Sequence, residues 1–243
     1  MRLVNKLFYV TTILLLSLFV TVCEAAKPVG RVVWTKGTFT AIGENKATRS
    51  LERAGVFYER DILLTGAGSQ AQVVFYDNSL MTFRENTRFR VDQYNYNAAG
   101  GKNSYVMSLA EGGFRTITGA IGDKQPENYK INTPVATIGV RGTEFIVYYK
   151  NGRLYVGRIK GKPCVYDKIK RIQVCLTPQM PYVVILGAEG PSVQTEMPDE
   201  LSGSNSLTIV PAIIQPPPGG GFGGGFGGGA GGPGGEVSSF CVQ

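Results

Sequence analysis

Across residues 29–186 the chain breaks into short apolar runs separated by turns rich in Gly, Asn and Asp, and scarcely anywhere keeps a 3.6-residue period long enough for a helix. That punctuation predicts an all-β fold. Strand-sized runs recur around Val32, Thr38, Ile62, Val73, Leu80, Phe89, Val106, Phe114, Ile131 and Ile146. Residues 88–93 alternate, with Phe89 and Val91 on one face and Arg88, Arg90 and Asp92 on the other, as a half-exposed strand does. Val73, Val74, Phe75 and Tyr76 are apolar on both faces, which places them centrally, between two layers or two turns of a coil. Two hairpins are legible. One turns at Asn151-Gly152, residues that tolerate the positive φ of a type I′ turn; the other turns at Asp77-Asn78. Many short strands at such spacing suit stacked strands, arranged either as a β-solenoid or as a sandwich.

The two ends of the chain have a different texture. Arg2 and Lys6 precede an uncharged run over residues 7–22, and Cys23-Glu24-Ala25 then offers small residues at the −3 and −1 positions. This is the pattern of a secretory signal cut after Ala25, with Ala26 as the fallback. The run is about 16 residues, short of the roughly 20 that span a bilayer core, so cleavage is preferred over an uncleaved anchor. Lipidation at Cys23 is disfavoured by Val22 before it. At the other end, residues 216–243 open with three prolines and run into glycine clusters broken by Phe222, Phe226, Ala230 and Pro233, a composition that predicts disorder. The expected organisation is a signal over 1–25, a β domain over 26–186 ending in a hairpin extension, a linker over 187–215 and the Pro/Gly-rich tail.

Export changes the reading of the cysteines. Of the four, Cys164 and Cys175 flank a short insertion, and in an oxidising compartment they are expected as a disulfide rather than a metal site. Cys241 is then the odd one, a free thiol or the handle of a linked dimer. The insertion carries Lys168, Lys170 and Arg171, either an anion contact or a solvated hairpin tip. The formal charge of the chain is +7. Losing Arg2, Lys6 and Glu24 with the signal lowers it only slightly, and a modest excess of this kind is either ordinary solubility charge or a pointer to anionic envelope polymers before nucleic acid as a partner.

Catalytic chemistry is thinly supplied. The chain has no histidine, which removes the usual general base, the commonest zinc ligand and any Ser-His-Asp triad. No P-loop, dinucleotide fingerprint or Cys-x-x-Cys is present, so no cofactor or metal is expected. A carboxylate pair acting on glycans, Asp77 with Glu85 or Glu111 with Asp123, is the one enzymatic route left, and these residues sit beside turns where acids are commonplace. Tyr94, Tyr96, Tyr105, Tyr148, Tyr149 and Tyr155 are expected mostly as strand residues covering the core, with a sugar-stacking surface as the other reading.

The most distinctive stretch is Asn132-Thr133-Pro134-Val135-Ala136-Thr137-Ile138-Gly139-Val140-Arg141-Gly142-Thr143-Glu144-Phe145. It resembles the hallmark of the FecR domain family. Residues 30–37 resemble the family's opening strand, residues 55–68 its run around an acidic residue and a Thr-Gly turn, Asp77-Asn78-Ser79 its Asp-Gly-Ser, and Glu111-Gly112-Gly113 its later glycine turn. The resemblance spans roughly residues 29–166. It implies a sensing or binding domain outside the cytoplasm, periplasmic or secreted, with an envelope protein or an anionic envelope polymer as partner, and a membrane contact only through an uncleaved signal; the alternative reading is a structural or surface-associated protein that assembles through the Gly-rich tail and Cys241. Family members that span the membrane regulate sigma factors from a cytoplasmic segment; the six residues before the apolar run here are too few for one, which argues for a stand-alone exported form. Within the hallmark, Gly139 and Gly142 bracket Arg141 and are expected to permit close approach or an unusual dihedral. Arg141 and Glu144 are expected as a structural ion pair, and Thr133, Pro134, Thr143 and Phe145 complete the candidate structural or interaction residues.

Overall fold

The structure is a computed structural model and describes residues 26–205 and 207–211. Residues 1–25, expected as a secretory signal, residues 212–243 and the thiols Cys23 and Cys241 lie outside the described residues.

The chain shuttles between two layers. β1 (Pro28–Lys36) lies in the first layer, β2 (Phe39–Ile42) and β3 (Thr48–Ser50) in the second, β4 (Val56–Tyr58) in the first and β5 (Ile62–Thr65) in the second. The hairpin of β6 (Gln70–Phe75) and β7 (Leu80–Phe83) returns to the first layer, and β8 (Arg88–Asn95) to the second. β9 (Ser104–Ile117) belongs to both. Its first half pairs with β8 and its second half with β7. A short helix α1 (Ala120–Lys124) then leads to β10 (Tyr129–Asn132) and β11 (Ala136–Gly139) in the second layer, β12 (Glu144–Lys150) and β13 (Arg153–Lys160) in the first, β14 (Cys164–Asp167) and β15 (Gln173–Cys175) in the second, and β16 (Tyr182–Leu186) and β17 (Pro191–Gln194) in the first. The strands form one continuous 17-stranded sheet, folded over at β9. The result is a sandwich in its layers and a coil in its winding, so both expectations have content: the fold is all-β.

The two runs expected as strands around Val106 and Phe114 are one strand, β9, that changes sheets. Gly112 sits at the change with φ +85°, and a Cβ there would lie 2.5 Å from the Thr87 backbone. No other residue type fits that turn without moving Thr87. On the N-terminal side β10 runs parallel to β9; on the C-terminal side β12 runs antiparallel to it.

Between the layers lies an aromatic core. Phe75 of the first layer meets Tyr94 and Tyr105 of the second at 5.6 and 5.0 Å between ring centroids, Phe83 meets Phe89 at 5.1 Å, and Phe89 meets Phe114 at 5.6 Å. Each fully buried Phe of this kind stabilises the fold by about 2–3 kcal/mol through removal of apolar surface from water. The alternation of β8 follows the sequence until Val91, where a register shift between Val91 and Gln93 swings Tyr94 inward. Val73, Val74, Phe75 and Tyr76 are all buried, as their two-sided apolar pattern requires.

The fold does not stop at residue 186. The stretch expected as a linker instead adds β17 to the edge of the first layer, then a helix α2 (Asp199–Asn205). Leu201 and Leu207 are buried, and Leu201 packs with Ile146, Tyr155 and Val184 on the outer side of the first layer. The low apolar content of residues 187–211 hid this, because two leucines suffice to dock a segment on a sheet that already exists.

Candidate functional site

The hallmark stretch runs from the last residue of β10 through β11 and the crossing into the start of β12. Thr133 closes the turn: its N–H donates to the Ala136 carbonyl at 2.8 Å, and its hydroxyl accepts the Ala136 N–H at 3.0 Å. Pro134 is exposed at the tip of that turn. The crossing over residues 140–143 is held by reciprocal bonds between two threonines. Thr143 N–H donates to Thr118 Oγ1 at 2.9 Å, and Thr118 N–H donates to the Thr143 carbonyl at 2.9 Å. Phe145 then drops into the core against Phe114.

Only one of the two hallmark glycines behaves as expected. Gly142 has φ +57°, and its carbonyl is so close to Gly161 that a Cβ on Gly161 would lie 2.1 Å from it. Gly139 has open space where a side chain would go. The close approach is thus between Gly142 and Gly161, a partner nineteen residues away that no local pattern marks.

The expected ion pair of Arg141 and Glu144 is a correction. Glu144 Oε1 instead accepts from Arg115, at 3.0 Å from Nε and 2.6 Å from Nη2. The two side chains lie on neighbouring strands of the first layer, β9 and β12, with both heads about four-fifths shielded. Arg141 sits exposed in the crossing. Removing Arg115 would leave a half-buried carboxylate without its cation, a larger effect than removing Arg141.

The hallmark turn and the basic insertion come together. Cys164 and Cys175 are bonded across the β14–β15 hairpin, as expected, and β14 pairs with β11 so that Cys164 faces Gly139. At the other end of this hairpin Lys168 donates from Nζ to the Thr133 carbonyl at 2.6 Å and from its N–H to the Val135 carbonyl at 2.9 Å. Partial burial lowers the Lys168 pKa from its ordinary value. Lys168 is therefore a strut on the hallmark turn rather than a free tip charge. Asp167 is buried and caps the tip by accepting the N–H groups of Ile169 and Lys170 at 2.7 and 2.9 Å. With that acid turned inward, the tip shows Lys170, Arg171, Ile169 at 53 % exposure and Ile172 at 50 %, with Tyr166 at 40 % on its flank.

A second turn anchors the interior. Asp77 is fully buried and accepts from the Ser79 N–H at 3.1 Å, the Ser79 hydroxyl at 2.8 Å, the Tyr94 hydroxyl at 3.3 Å and the Ile121 N–H at 3.4 Å. Desolvation by burial raises its pKa above the usual carboxylate range, against the pull of those donors. Asn78 takes φ +64°, the left-handed position where the resembling pattern has Gly. Asp77 is committed to this knot, while Glu85 is exposed and accepts the Gly68 N–H at 2.6 Å. Tyr94 and Tyr105 are core, Tyr149 lines the inner face, and Tyr148 and Tyr155 lie under α2, with Tyr155 bonded to Glu200 at 2.8 Å.

Sequence reasoning passed over one concavity. Lys27, Glu44, Arg49, Tyr58, Arg60 and Asp61 line an open cleft at the start of the domain. Its charges are largely paired internally: Arg49 with Asp61 at 2.5 Å, and Arg60 with Glu44 at 2.9 Å. The signal that would have found it is the run of charged residues around the two loops, which reads from sequence as ordinary solvated turns.

Comparison with known proteins bears on the same region. A protein described as uncharacterized from Treponema pallidum (strain Nichols) is 38 % identical over 95 residues, which is 39 % of this chain and 12 % of that protein. Two crystal structures of a candidate anti-sigma factor from Parabacteroides distasonis ATCC 8503 overlap 56 % of this chain and 60 % of theirs, at 17 and 18 % identity and a TM-score of 0.44. This chain thus spans a small part of the first relative and under two thirds of the second. The family model described as FecR protein matches residues 61–162, from the buried Asp61 through both turns, the sheet-changing β9 and the hallmark crossing, to just past Gly161. The FecR match covers these residues alone, less than half of the chain.

Proposed function

We propose that this protein is an exported, non-catalytic, signal-related binding module of the cell envelope, periplasmic or secreted, which engages an envelope protein or an anionic envelope polymer. The observation that carries the reading is the docking of the stapled hairpin onto the hallmark turn through Lys168. It fuses the family's most distinctive residues with a tip whose only acid is buried. Pro134, Lys170, Arg171, Ile169 and Ile172 then belong to one rigid unit, apolar and cationic together, suited to a partner that is anionic. FecR domains are typically associated with the envelope, and the FecR match and the secretory pattern of residues 1–25 point the same way. No enzymatic role is proposed: Asp77 is consumed by the interior knot.

The test is capture from the envelope fraction of the source cell by the immobilised protein, compared with Lys170→Glu/Arg171→Glu and with Lys36→Glu, an exposed cation on β1. The expected result is capture by the wild type and Lys36→Glu and its loss in the double variant. Equal capture by all three defeats the hairpin-centred reading.

A further inference from the structure

The outer side of the first layer divides into two parts. Beneath α2 it is apolar, built from Ile146, Tyr155 and Val184. Beneath residues 207–210 it is polar. There Gln72 is fully buried and grips both main-chain polar groups of one residue: its Oε1 accepts the Val210 N–H at 2.8 Å and its Nε2 donates to the Val210 carbonyl at 2.5 Å. Trp34 Nε1 donates to the same Oε1 at 2.9 Å and so fixes which way the amide faces. Thr82 Oγ1 donates to the Thr208 carbonyl at 3.2 Å, and Arg115 Nη1 donates to the Leu207 carbonyl at 3.1 Å. Leu207 is 1 % exposed, while Thr208 and Val210 are exposed.

Three neighbouring strands, β6, β7 and β9, thus each present a side chain to the main chain of the same extended segment. The segment takes no place in the sheet ladder. Its main-chain bonds to Gln72, Thr82 and Arg115 run to side chains that water can solvate, so it can leave without breaking a strand pair. Recognition by one leucine anchor and four main-chain hydrogen bonds from three side chains is indifferent to the side chains between them.

We propose that this face is a docking site for an extended segment of a partner protein, a leucine followed three residues later by a residue offering both N–H and C=O, and that residues 207–210 occupy it in cis. The chemistry of the partner is read from the occupant already in place. The cis segment competes through its tether, at the high effective concentration that a short linkage gives. The proposal deepens the binding-module reading by giving the module a second face. Charge reversal on the 166–173 hairpin does not touch this face, so failure of one is distinguishable from failure of the other.

The experiment uses the chain's single tryptophan, Trp34, which reports directly on Gln72. In the full chain, Leu207→Asp is expected to displace the segment and shift Trp34 emission. A blocked synthetic peptide Leu-Thr-Ile-Val-Pro then restores it saturably, and Leu-Ala-Ala-Val-Pro does so equally well. Asp-Thr-Ile-Val-Pro does not, the wild type responds to no peptide, and Gln72→Ala in the Leu207→Asp background weakens binding about tenfold, as loss of two main-chain bonds implies. Should Leu207→Asp lose its strand spectrum, Val210→Pro, which deletes one N–H and keeps the anchor, serves in its place. The proposal is overturned if peptide leaves Trp34 unchanged, if Gln72→Ala does not weaken binding, or if only the native Leu-Thr-Ile-Val-Pro binds. A wild-type mass that doubles with concentration while the segment exchanges would place a second copy on the face, and would overturn the assignment to a partner protein.

Discussion

Asp77 and Asp167 open two hairpin turns in the same way, yet one locks the interior and the other displays a surface. Both carboxylates are fully buried, and both accept N–H groups from the residues just after them. Around Asp77 every neighbour adds to the closure: Ser79, Tyr94 and the N-terminal turn of α1 bring four donors to its two oxygens. Around Asp167 the donors come from its own turn alone, and among the described residues Oδ2 has no hydrogen-bond partner. The Asp77 turn consequently belongs to the core, while the Asp167 turn only shapes a tip whose side chains face outward. A shared local device takes its role from what packs over it.

The largest effect is expected at the interior turn. Asp77→Ala strands the Ser79 and Tyr94 hydroxyls and two buried N–H groups, and should cost about 4 kcal/mol by urea unfolding; a loss near that of an exposed turn residue would erase the contrast. The pH dependence sharpens it further. Because burial raises the Asp77 pKa, its contribution to stability is full below the ordinary unfolded carboxylate value and is lost as pH rises through the folded one. Asp77→Asn should remove that decline, visible as a flatter melting temperature against pH than in the wild type, and coincident profiles would refute the assignment.

At the tip the effects are smaller and come from other sources. Replacing Cys164 and Cys175 by Ser opens a loop closed over a separation of eleven residues and should cost about 3 kcal/mol in the chain-entropy model, read from the shift in the urea midpoint. Asp167→Ala loses two turn bonds but also removes an oxygen buried without a partner, so about 1 kcal/mol is expected by the same measurement; a cost equal to that of Asp77→Ala would show that the two turns are equivalent after all. Ile169→Ser with Ile172→Ser should change stability by less than about 0.5 kcal/mol, because those side chains already face water, while altering capture from the envelope fraction. Destabilisation on the scale of a core substitution would place them in a packing role instead.

These turns also show where sequence reading succeeds. Asn78 and Asn151 were legible as turns because positive φ is a property of one or two residues, and the alternation of residues 88–91 because a strand's two faces are written locally. The disulfide was legible from spacing and the expected compartment. The partner of Glu144 was not: Arg115 lies on β9, and only the pairing of β9 with β12 brings them together. The same holds for Gly161 against Gly142, for Lys168 against Thr133, and for β9 itself, whose two halves read as separate strands because each serves a different sheet. Residues 187–211 were missed for a related reason, since their order comes from docking on a finished surface rather than from any period of their own.

What the sequence by itself determined is the all-β class, the main turns, the family resemblance and the shortage of catalytic chemistry, because these rest on local dihedral preference, alternation and residue type. Tertiary structure alone decided which turn is buried, which cation meets Glu144, that Lys168 supports the hallmark turn, and that Gln72 grips residue 210. Each of these depends on contacts between residues far apart in the chain, and their energies exist only once the two layers have closed on one another.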